Sequence, residues 1–190
     1  MNSVEPIRDI QTVYDIEDYL EGENKRNYML FILGVSTGLR ISDILNFRTR
    51  DFKDSKGNIR EHIILSEKKT GKDKKIKLSR DLRSILKEYL KDKKEYEYII
   101  RSPRGINKPL SRQQAYRILC ELGEKFDIRN MACHTLRKTF GYDYYRRTND
   151  IAGLMKIYNH SSPNTTLRYI GITQDVLDSI YDNSNMIRKR

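Results

Sequence analysis

Hydrophobic side chains in the N-terminal quarter of the chain recur at intervals of three and four residues, which is the spacing of helices that bury one face. Asp9 is suited to cap the first of these helices, which we expect to end at Gly22. A second helix is predicted from about Lys25 to Ser36. After a glycine-containing turn, Ser42 is expected to cap a short third helix, whose apolar positions are Ile44, Leu45 and Phe47.

Residues 59–79 follow a different pattern, because apolar side chains there either run together or alternate with polar ones. The run His62-Ile63-Ile64-Leu65 is typical of a buried strand, and the segment Lys75-Ile76-Lys77-Leu78-Ser79 alternates. A polar stretch that contains Gly71 lies between the two. This arrangement predicts a β-hairpin with a long or bulged turn.

The second half of the chain returns to helical spacing. Ser79 is expected to cap a strongly amphipathic helix through Leu90, and Ser111 to cap another that ends near Lys125. The predicted fold class is therefore mostly α with a small antiparallel β-sheet (α+β), in one domain over residues 1–183 with a basic C-terminal tail, residues 184–190. Further helices are predicted over residues 134–147, 150–158, 163–170 and 174–182, the last of them capped by Thr173.

Composition bounds the class of protein. The chain has 190 residues, of which 37% are hydrophobic, enough for one domain with a sizeable core. Its longest apolar run is far shorter than the roughly 20 residues of a membrane span, and its N-terminus lacks the apolar stretch of a secretion signal. The two cysteines, Cys120 and Cys133, form neither a CxxC pair nor a zinc-ligand spacing. We expect a cytoplasmic protein without a disulfide, a bound metal or contact with a membrane.

The net charge indicates the class of partner more directly than the length does. Lys and Arg number 37 against 26 Asp and Glu, which gives a formal net charge of +11 and a pI near 9.6. In the tip region of the predicted hairpin, residues 66–80, seven residues are basic and two are acidic. Such a distribution favours a polyanionic partner, and nucleic acid fits best. A basic protein that is merely soluble is the alternative.

Candidate chemistry begins with the sparse histidines. His134 and Arg137 are three residues apart in a predicted helix, so both lie on one face. A proton-transfer group beside a permanent bidentate cation suits a phosphate. His160 precedes another predicted helix, which carries Tyr169, and Arg40 lies in the turn after an apolar helix. Taken singly, residues of these types are more often surface, capping or packing residues.

Four segments in chain order resemble the tyrosine recombinase (phage integrase) family: TGLRISDIL, KKTGK in the hairpin, HTLRKTF and YNHSSPNTTLRYI. The resemblance extends over about residues 9–182 and implies the catalytic-domain fold of the DNA breaking-rejoining enzymes. Lys68 and Lys72 remain alternatives for the family's hairpin lysine, which falls most naturally on Lys69. The six catalytic residues that the resemblance implies are Arg40, Lys69, His134, Arg137, His160 and Tyr169.

The resemblance also implies a reaction. Tyr169 would attack a DNA phosphodiester to form a 3′-phosphotyrosyl bond, and a 5′-hydroxyl would leave. A second 5′-hydroxyl would later attack the phosphotyrosyl bond and restore the backbone. The two arginines would hold the nonbridging oxygens, with a further hydrogen bond from His160. His134 would accept the tyrosine proton or assist its loss, and Lys69 would protonate the leaving oxygen. A phosphodiester-like bond is kept throughout, so no cofactor, neither ATP nor a metal ion, is expected.

Partners and domain organisation follow from the same resemblance. We expect double-stranded DNA and other recombinase protomers assembled on it, with an accessory DNA-binding protein as a further candidate. Typical members carry an N-terminal core-binding domain, which we expect to be absent here because only a short segment precedes Arg40. A natural short recombinase and a fragment of a longer one both remain open.

Two positions depart from the family pattern. Asp43 stands where many members have glutamate, and Asn159 precedes His160 where glycine is common. Neither change removes a catalytic group, although the second alters the local backbone preference. A non-catalytic DNA-binding regulator with the same fold and a type IB topoisomerase-like relaxing enzyme are the alternative functions.

Two of the predicted helices carry side chains that suit contacts with DNA or with another protomer. The last helix has an apolar stripe of Val176, Leu177 and Ile180, which docks on a neighbouring protomer or packs on its own domain. The helix that begins at Ser111 presents four polar residues that suit guanine and adenine edges, a solvated face being the alternative. These four are Arg112, Gln113, Gln114 and Arg117.

Overall fold

The computed structural model describes residues 4–66 and 73–182, which are mostly helical with one two-stranded sheet. The predicted fold class is thereby confirmed. No helix in these ranges is both long enough and apolar enough to span a bilayer. The elements in chain order are α1 (Ile10–Glu23), α2 (Lys25–Thr37), α3 (Ile41–Asn46), α4 (Thr49–Phe52), β1 (His62–Ser66), β2 (Asp73–Lys77), α5 (Arg80–Tyr89), α6 (Arg112–Lys125), α7 (Cys133–Thr148), α8 (Ile151–Tyr158), α9 (Pro163–Ile170) and α10 (Ile172–Asp182).

Polar caps define the first two helices close to the predicted positions. The Asp9 carboxylate accepts hydrogen bonds from the backbone N–H groups of Gln11 and Thr12, which satisfies two donors at the start of α1. α1 continues one residue beyond Gly22. Asn24 then ends α1 and caps α2 with its side chain, so one residue marks both boundaries.

The turn after α2 differs from the prediction in its capping residue. Gly38 ends α2 in the left-handed conformation, at φ 61°, which residues with a side chain disfavour. The N-cap of α3 is Arg40 and not the predicted Ser42, because the backbone is still extended at Arg40 and no side chain caps the helix. The pattern does not predict α4, because a single turn is too short to show a period.

The predicted hairpin is confirmed, with β1 and β2 antiparallel and Ile63 opposite Ile76. Ile63 is fully buried, so one face of the hairpin packs on the core. Lys74 of β2 donates a hydrogen bond from Nζ to the carbonyl of Ile157 at 2.5 Å, which connects the hairpin to α8. Residues 67–72 between the strands, which include Lys68, Lys69 and Lys72, lie outside the described residues.

Helix α2 runs through the main core and packs against α1, α5 and α7. Its contact with α7 is close at Gly34, where an added Cβ would lie 2.8 Å from the Cβ of Leu136. Gly38 meets Phe140 of α7 in the same way. The two glycines therefore bring α7 directly against the turn that carries Arg40. The side chains of α2 with no exposure are Met29, Leu30, Phe31 and Leu33.

A smaller core joins α8, α9 and α10 to α7, and its buried members are Leu154, Tyr158, Ile170 and Ile172. Gly171 turns the chain sharply between α9 and α10, at φ 87°. Because α10 begins directly after this turn, Thr173 lies inside the helix, and the prediction that it caps α10 is wrong.

The apolar stripe predicted on α10 is exposed where its packing is described. Val176 is 54% exposed. The side chains of Leu177 and Ile180 lie outside the described part of the structure. At Val176, therefore, the stripe does not pack on its own domain, and docking on a neighbouring protomer stays a prediction.

Alanine substitutions at two helical glycines separate packing from helix propensity. An added Cβ at Gly141 of α7 would overlap the hydroxyl of Tyr158, whereas at Gly22 of α1 it would meet nothing within 4 Å. We expect Gly22→Ala to raise the free energy of unfolding by about 0.5 kcal/mol. Gly141→Ala should lower it by about 1–3 kcal/mol because the helices must separate. Urea unfolding followed by circular dichroism measures both, and effects of the same sign would contradict the packing described.

Candidate active site

The guanidinium of Arg137 lies at the centre of the site, where α7 carries it into the interior. Arg137 is only 6% exposed, donates a hydrogen bond to the carbonyl of Gly38 and lies 4.2 Å from the ring centroid of Tyr158. The hydroxyl of Tyr158 donates to the carbonyl of Arg137 at 2.7 Å. Burial lowers the pKa of Arg137, yet an arginine begins so high that the group stays a cation near neutral pH.

Arg137 shares its surroundings with a second cation, and no carboxylate of the described residues pairs with it. Among the side chains that the structure describes, no ion pair involves Arg137 or Arg40. Both arginines line a cleft of about 860 Å³, together with Asp43 and Asp51. After burial, charge repulsion from Arg40 contributes to the lowered pKa of Arg137. Because a buried cation without a counter-ion is unfavourable, the cleft is suited to bind an anion such as a phosphate.

Tyr169 lies on the last turn of α9, held edge-on by two other rings. Its ring centroid is 5.3 Å from that of Tyr158 and 5.4 Å from that of His160. Its hydroxyl lies 3.2 Å from Nδ1 of His134. Burial raises the pKa of Tyr169, and the charge and hydrogen bonding of Arg137 oppose that rise. The phenol is therefore protonated near neutral pH and needs a base to become a nucleophile.

His134 is placed and tuned to be that base. Burial lowers its pKa, and the positive charges of Arg112 and Arg137 lower it further. The imidazole is consequently neutral at pH 7. In the tautomer that carries its hydrogen on Nε2, Nδ1 is an acceptor and the Tyr169 hydroxyl donates to it across the 3.2 Å contact.

His160 is oriented by the turn between α8 and α9. Asn159 ends α8 in the left-handed conformation at φ 59°. Both asparagine and glycine tolerate this conformation, so asparagine can replace the glycine that is common at this position. The backbone N–H of His160 donates to the carbonyl of Met155, and its ring Nδ1 lies 3.1 Å from the hydroxyl of Thr166. Burial, followed by the charges of Arg137 and Arg40, lowers the pKa of His160. The structure therefore places a second imidazole beside Arg137 and Tyr169.

The remaining predicted residues are the first arginine and the hairpin lysine. Arg40 is exposed at the N-cap of α3 and lines the cleft. Lys69 lies outside the described residues, while Lys74 on the adjoining strand does line the cleft. Around Tyr169 and Arg137 the structure thus brings together five of the six residues predicted from sequence, which are Arg40, His134, Arg137, His160 and Tyr169.

Sequence reasoning did not single out Tyr158 and Thr166, which hold the site in place. Tyr158 carries Arg137 on its ring face, and Thr166 contacts the ring of His160. Both residues are almost fully buried. The helical spacing of Leu154 and Tyr158 signals that Tyr158 is buried, but spacing cannot show that its partner is an arginine from another helix.

The N-terminal turn of α6 lies beside the site. Arg112 lines a small crevice of about 150 Å³ with His134 and Arg137. Gln114 does not project as predicted, because its side chain and that of Ser111 bond to each other's backbone N–H groups in a capping box. Gln113 and Arg112 remain exposed on this turn. Base contacts by the exposed residues stay a prediction.

Metal-ligating side chains are dispersed. In the described ranges, no group of three or more His, Cys, Asp and Glu side chains is arranged to hold a metal ion. Cys120 and Cys133 are both free thiols.

Comparison with known sequences identifies relatives over nearly the whole chain. The profile of the phage integrase family matches residues 8–175. The probable integrase/recombinase YoeC of Bacillus subtilis (strain 168) is 45% identical over 181 residues, which cover 95% of this chain and 97% of that protein. Tyrosine recombinase XerA of Pyrococcus furiosus is 29% identical over 165 residues, which cover 85% of this chain and 56% of XerA. The chain thus spans nearly all of one relative and a little over half of the other.

Solved structures share the fold at lower identity. A post-cleavage complex of the XerH site-specific recombinase bound to palindromic difH substrate has a TM-score of 0.70 at 20% identity, over 94% of this chain and 53% of that one. A lambda integrase dimer bound to a COC′ core site has a TM-score of 0.66 at 17% identity, over 100% of this chain and 52% of that one. With the fold, the family profile and a close relative in agreement, the chain belongs to the phage integrase family of tyrosine recombinases.

Proposed function

We propose that the chain cleaves and rejoins double-stranded DNA at specific sites through a covalent bond to Tyr169. The observation that carries the proposal is the 3.2 Å contact between the Tyr169 hydroxyl and Nδ1 of His134, beside the buried guanidinium of Arg137. A nucleophile, a base and a fixed cation are the groups that transfer of a phosphoryl group to a side chain requires. Membership of the phage integrase family supports site-specific recombination as the class of reaction.

The first step transfers a DNA strand to the protein. His134 Nδ1 accepts the proton of the Tyr169 hydroxyl while the phenol oxygen attacks the phosphorus. The new oxygen–phosphorus bond replaces the bond to the 5′ oxygen, which takes up a proton and leaves as a 5′-hydroxyl. The 3′ phosphate stays on the protein as an ester of Tyr169. Attack by a 5′-hydroxyl from the same or another strand reverses these changes and restores the backbone.

Arg137 and Arg40 stabilise the negative charge that builds up on the nonbridging oxygens. Arg137 is held by the Gly38 carbonyl and the Tyr158 ring, so its position does not have to be organised during the reaction. His160 contributes a further donor in the tautomer that carries its hydrogen on Nε2. In that tautomer Nδ1 accepts from the Thr166 hydroxyl, which then gives up its 3.3 Å hydrogen bond to the carbonyl of Ser162. Removing one such donor typically costs about 10²–10³ in rate.

Lys69 completes the site as the acid that protonates the leaving 5′ oxygen. Its support is the family resemblance of the KKTGK segment, with Lys68 and Lys72 as alternatives in register. The described strands of the hairpin adjoin the cleft, since Ile64, Leu65 and Lys74 line it. The position of Lys69 in the chain, between these two strands, supports its assignment as the acid.

The reaction as written needs neither ATP nor a metal ion. One phosphate ester bond is broken for each one formed in both steps, so no external source of energy is required. The positive charge comes from arginines and the proton transfers from His134 and Lys69. Activity in the presence of a chelator is therefore expected to equal activity in its absence.

The proposed partners are double-stranded DNA and further protomers of the recombinase assembled on it. The DNA-bound XerH complex and the DNA-bound lambda integrase dimer, which share the fold, support both. We further propose that residues 1–183 form the catalytic domain and that residues 184–190 are a basic tail. An accessory DNA-binding protein and a cytoplasmic location stay predictions from the sequence.

Tyrosine substitutions test the nucleophile. The substrate is a nicked suicide duplex, selected from a random-sequence library by binding to the protein and incubated in chelator. Because the hydroxyl of Tyr169 contacts His134, we expect wild type and Tyr158→Phe to form a protease-sensitive covalent DNA adduct, and Tyr169→Phe to form none. Denaturing gel electrophoresis measures the adduct.

Tyr158→Phe is the matched control, because the two rings lie 5.3 Å apart in the same site. Specific binding by wild type with no adduct would contradict the proposed activity and favour a non-catalytic DNA-binding regulator. Relaxation of supercoiled DNA without exchange between two sites would favour a topoisomerase-like enzyme.

A bridging 5′-phosphorothiolate tests the acid. A thiol has a pKa of only about 8.5, so a sulfur leaving group departs without being protonated. We expect Lys69→Ala to slow cleavage of the ordinary duplex by about 10²–10⁴ and to cleave the phosphorothiolate duplex at nearly the wild-type rate. Lys68→Ala and Lys72→Ala remove the same charge from the same turn and serve as controls. If one of these controls, and not Lys69→Ala, cleaves the ordinary duplex slowly and the phosphorothiolate duplex at the wild-type rate, the lysine it replaces is the acid.

The proximity of Arg112 is expected to set the pH range in which His134 is a base. Arg112→Ala should raise the pKa of His134, because it removes the nearby positive charge that lowers this pKa most after burial. Cleavage falls as pH drops through the pKa of His134, so the variant should lose activity at a higher pH than wild type. Titration of the imidazole by NMR measures the pKa, with the exposed Arg117→Ala on the same helix as control. The same shift in both variants would contradict this role.

A further inference from the structure

The segment before α1 crosses the outer side of α7 as an N-terminal strap, residues 4–9, which is held by specific contacts. Pro6 and Ile7 are buried. The backbone N–H of Ile7 donates to the hydroxyl of Thr139 at 2.9 Å, and this hydroxyl in turn donates to the carbonyl of Thr135. Thr139 is 4% exposed, so the strap and its neighbours cover this face of α7.

Arg8 connects the strap to the first turn of α10. Its Nε donates to Asp175 at 2.8 Å, and another nitrogen of the same guanidinium lies 3.0 Å from Glu5. The guanidinium also lies over the ring of Tyr142 of α7, 5.8 Å from the centroid. One side chain of the strap therefore contacts both α7 and α10.

The strap also contacts the corner that follows the nucleophile. Gly171, two residues after Tyr169, packs so closely that an added Cβ would lie 3.1 Å from both Arg8 and Pro6. Its φ of 87° lies in the region that favours glycine. The strap thus lies directly against the end of the helix that carries Tyr169.

Lys138 links the strap to Tyr169 from the other side. Its Nζ donates to the carbonyl of Val4 at 2.6 Å and lies 5.3 Å from the ring centroid of Tyr169. Lys138 follows Arg137 on α7 and is about half-buried. One ammonium group therefore contacts the first described residue of the strap and the proposed nucleophile.

We propose that the N-terminal strap positions Tyr169 for attack, with Arg8 and Lys138 as positioning residues that act through α9 and the ring of Tyr169. This inference rests on the proposed function of Tyr169. Arg8 and Asp175 hold the α9–α10 corner against α7, and Lys138 holds the ring from its side. Because the hydroxyl of Tyr169 must keep its contact with His134 and meet the phosphorus in line, small displacements of α9 slow the chemical step.

Single-turnover kinetics separate this role from binding and from stability. With protein in excess over the selected suicide duplex, the rate constant of adduct formation reports the chemical step, and titration of the same duplex reports DNA affinity. We expect Arg8→Gln and Asp175→Asn each to slow adduct formation by about tenfold, since a 1 Å misplacement can cost about 10²-fold. DNA affinity should stay within about twofold of wild type, because the strap is not part of the cleft.

A double-mutant cycle tests whether Arg8 and Asp175 act as one unit. If they do, the double variant slows adduct formation by the same factor as either single variant. Arg147→Gln is the matched control, because it removes an ion pair of the same length, 2.8 Å to Asp143, from the exposed face of α7. This control should react at the wild-type rate with a similar change in melting temperature.

The Lys138 variants give an independent measurement. Lys138→Met removes the ammonium that contacts both Val4 and the Tyr169 ring, and should slow adduct formation by about tenfold. Lys138→Arg keeps a cation and a donor, and should restore most of the rate. If Lys138→Met does not fold, the Arg8 and Asp175 cycle still decides the question.

The outcomes are distinct. An adduct in wild type with slowed chemistry, unchanged affinity and non-additive effects supports the strap. An adduct in wild type with Arg8→Gln and Asp175→Asn at the rate of Arg147→Gln overturns the strap and leaves the proposed function standing. The absence of any adduct in wild type overturns the proposed function and the positioning role with it.

Discussion

The rest of the structure depends on one buried cation. Burying a guanidinium without a counter-ion costs several kcal/mol unless hydrogen bonds and polarizable neighbours compensate. Arg137 is compensated by the carbonyl of Gly38 and the ring of Tyr158, and not by a carboxylate among the described side chains. A carboxylate would neutralise the charge that an incoming phosphate has to meet. The fold therefore holds the cation in place without neutralising it.

This constraint accounts for how the helices are arranged around the site. The Gly38 carbonyl is available because α2 ends there in a left-handed turn, against Phe140 of α7. The Tyr158 ring is available because α8 ends with this residue buried between α7 and α9. The same ring lies edge-on to Tyr169, so the group that supports the cation also supports the nucleophile. The Tyr158 ring thus positions both Arg137 and Tyr169.

Much of this site could be predicted from the sequence, because the chemistry-bearing residues lie in segments with strong local signals. His134 and Arg137 share a helical face, and the segments around Arg40 and Tyr169 carry the motifs that resemble the family. The starts of α3 and α10 were harder to predict. No side chain caps α3, and α10 begins directly after the turn at Gly171, before the predicted cap Thr173. Tyr158 and the N-terminal strap could not be predicted, since each acts through a contact with a residue of another helix or a distant segment. Thr166 is only six residues from His160, but helical spacing does not show that its hydroxyl meets the imidazole. Periodicity reports burial but not the identity of the partner.

Mass spectrometry of the trapped adduct shows directly whether a 3′ phosphate of DNA becomes esterified to Tyr169. After nuclease and trypsin digestion, we expect one nucleotide-bearing peptide, in which Tyr169 is joined to the 3′ phosphate of the nucleotide upstream of the cleaved bond. A modification on another residue, or a 5′ phosphate on the protein, would contradict a 3′-phosphotyrosyl bond at Tyr169. So would the recovery of only unmodified peptides from DNA that has been cleaved.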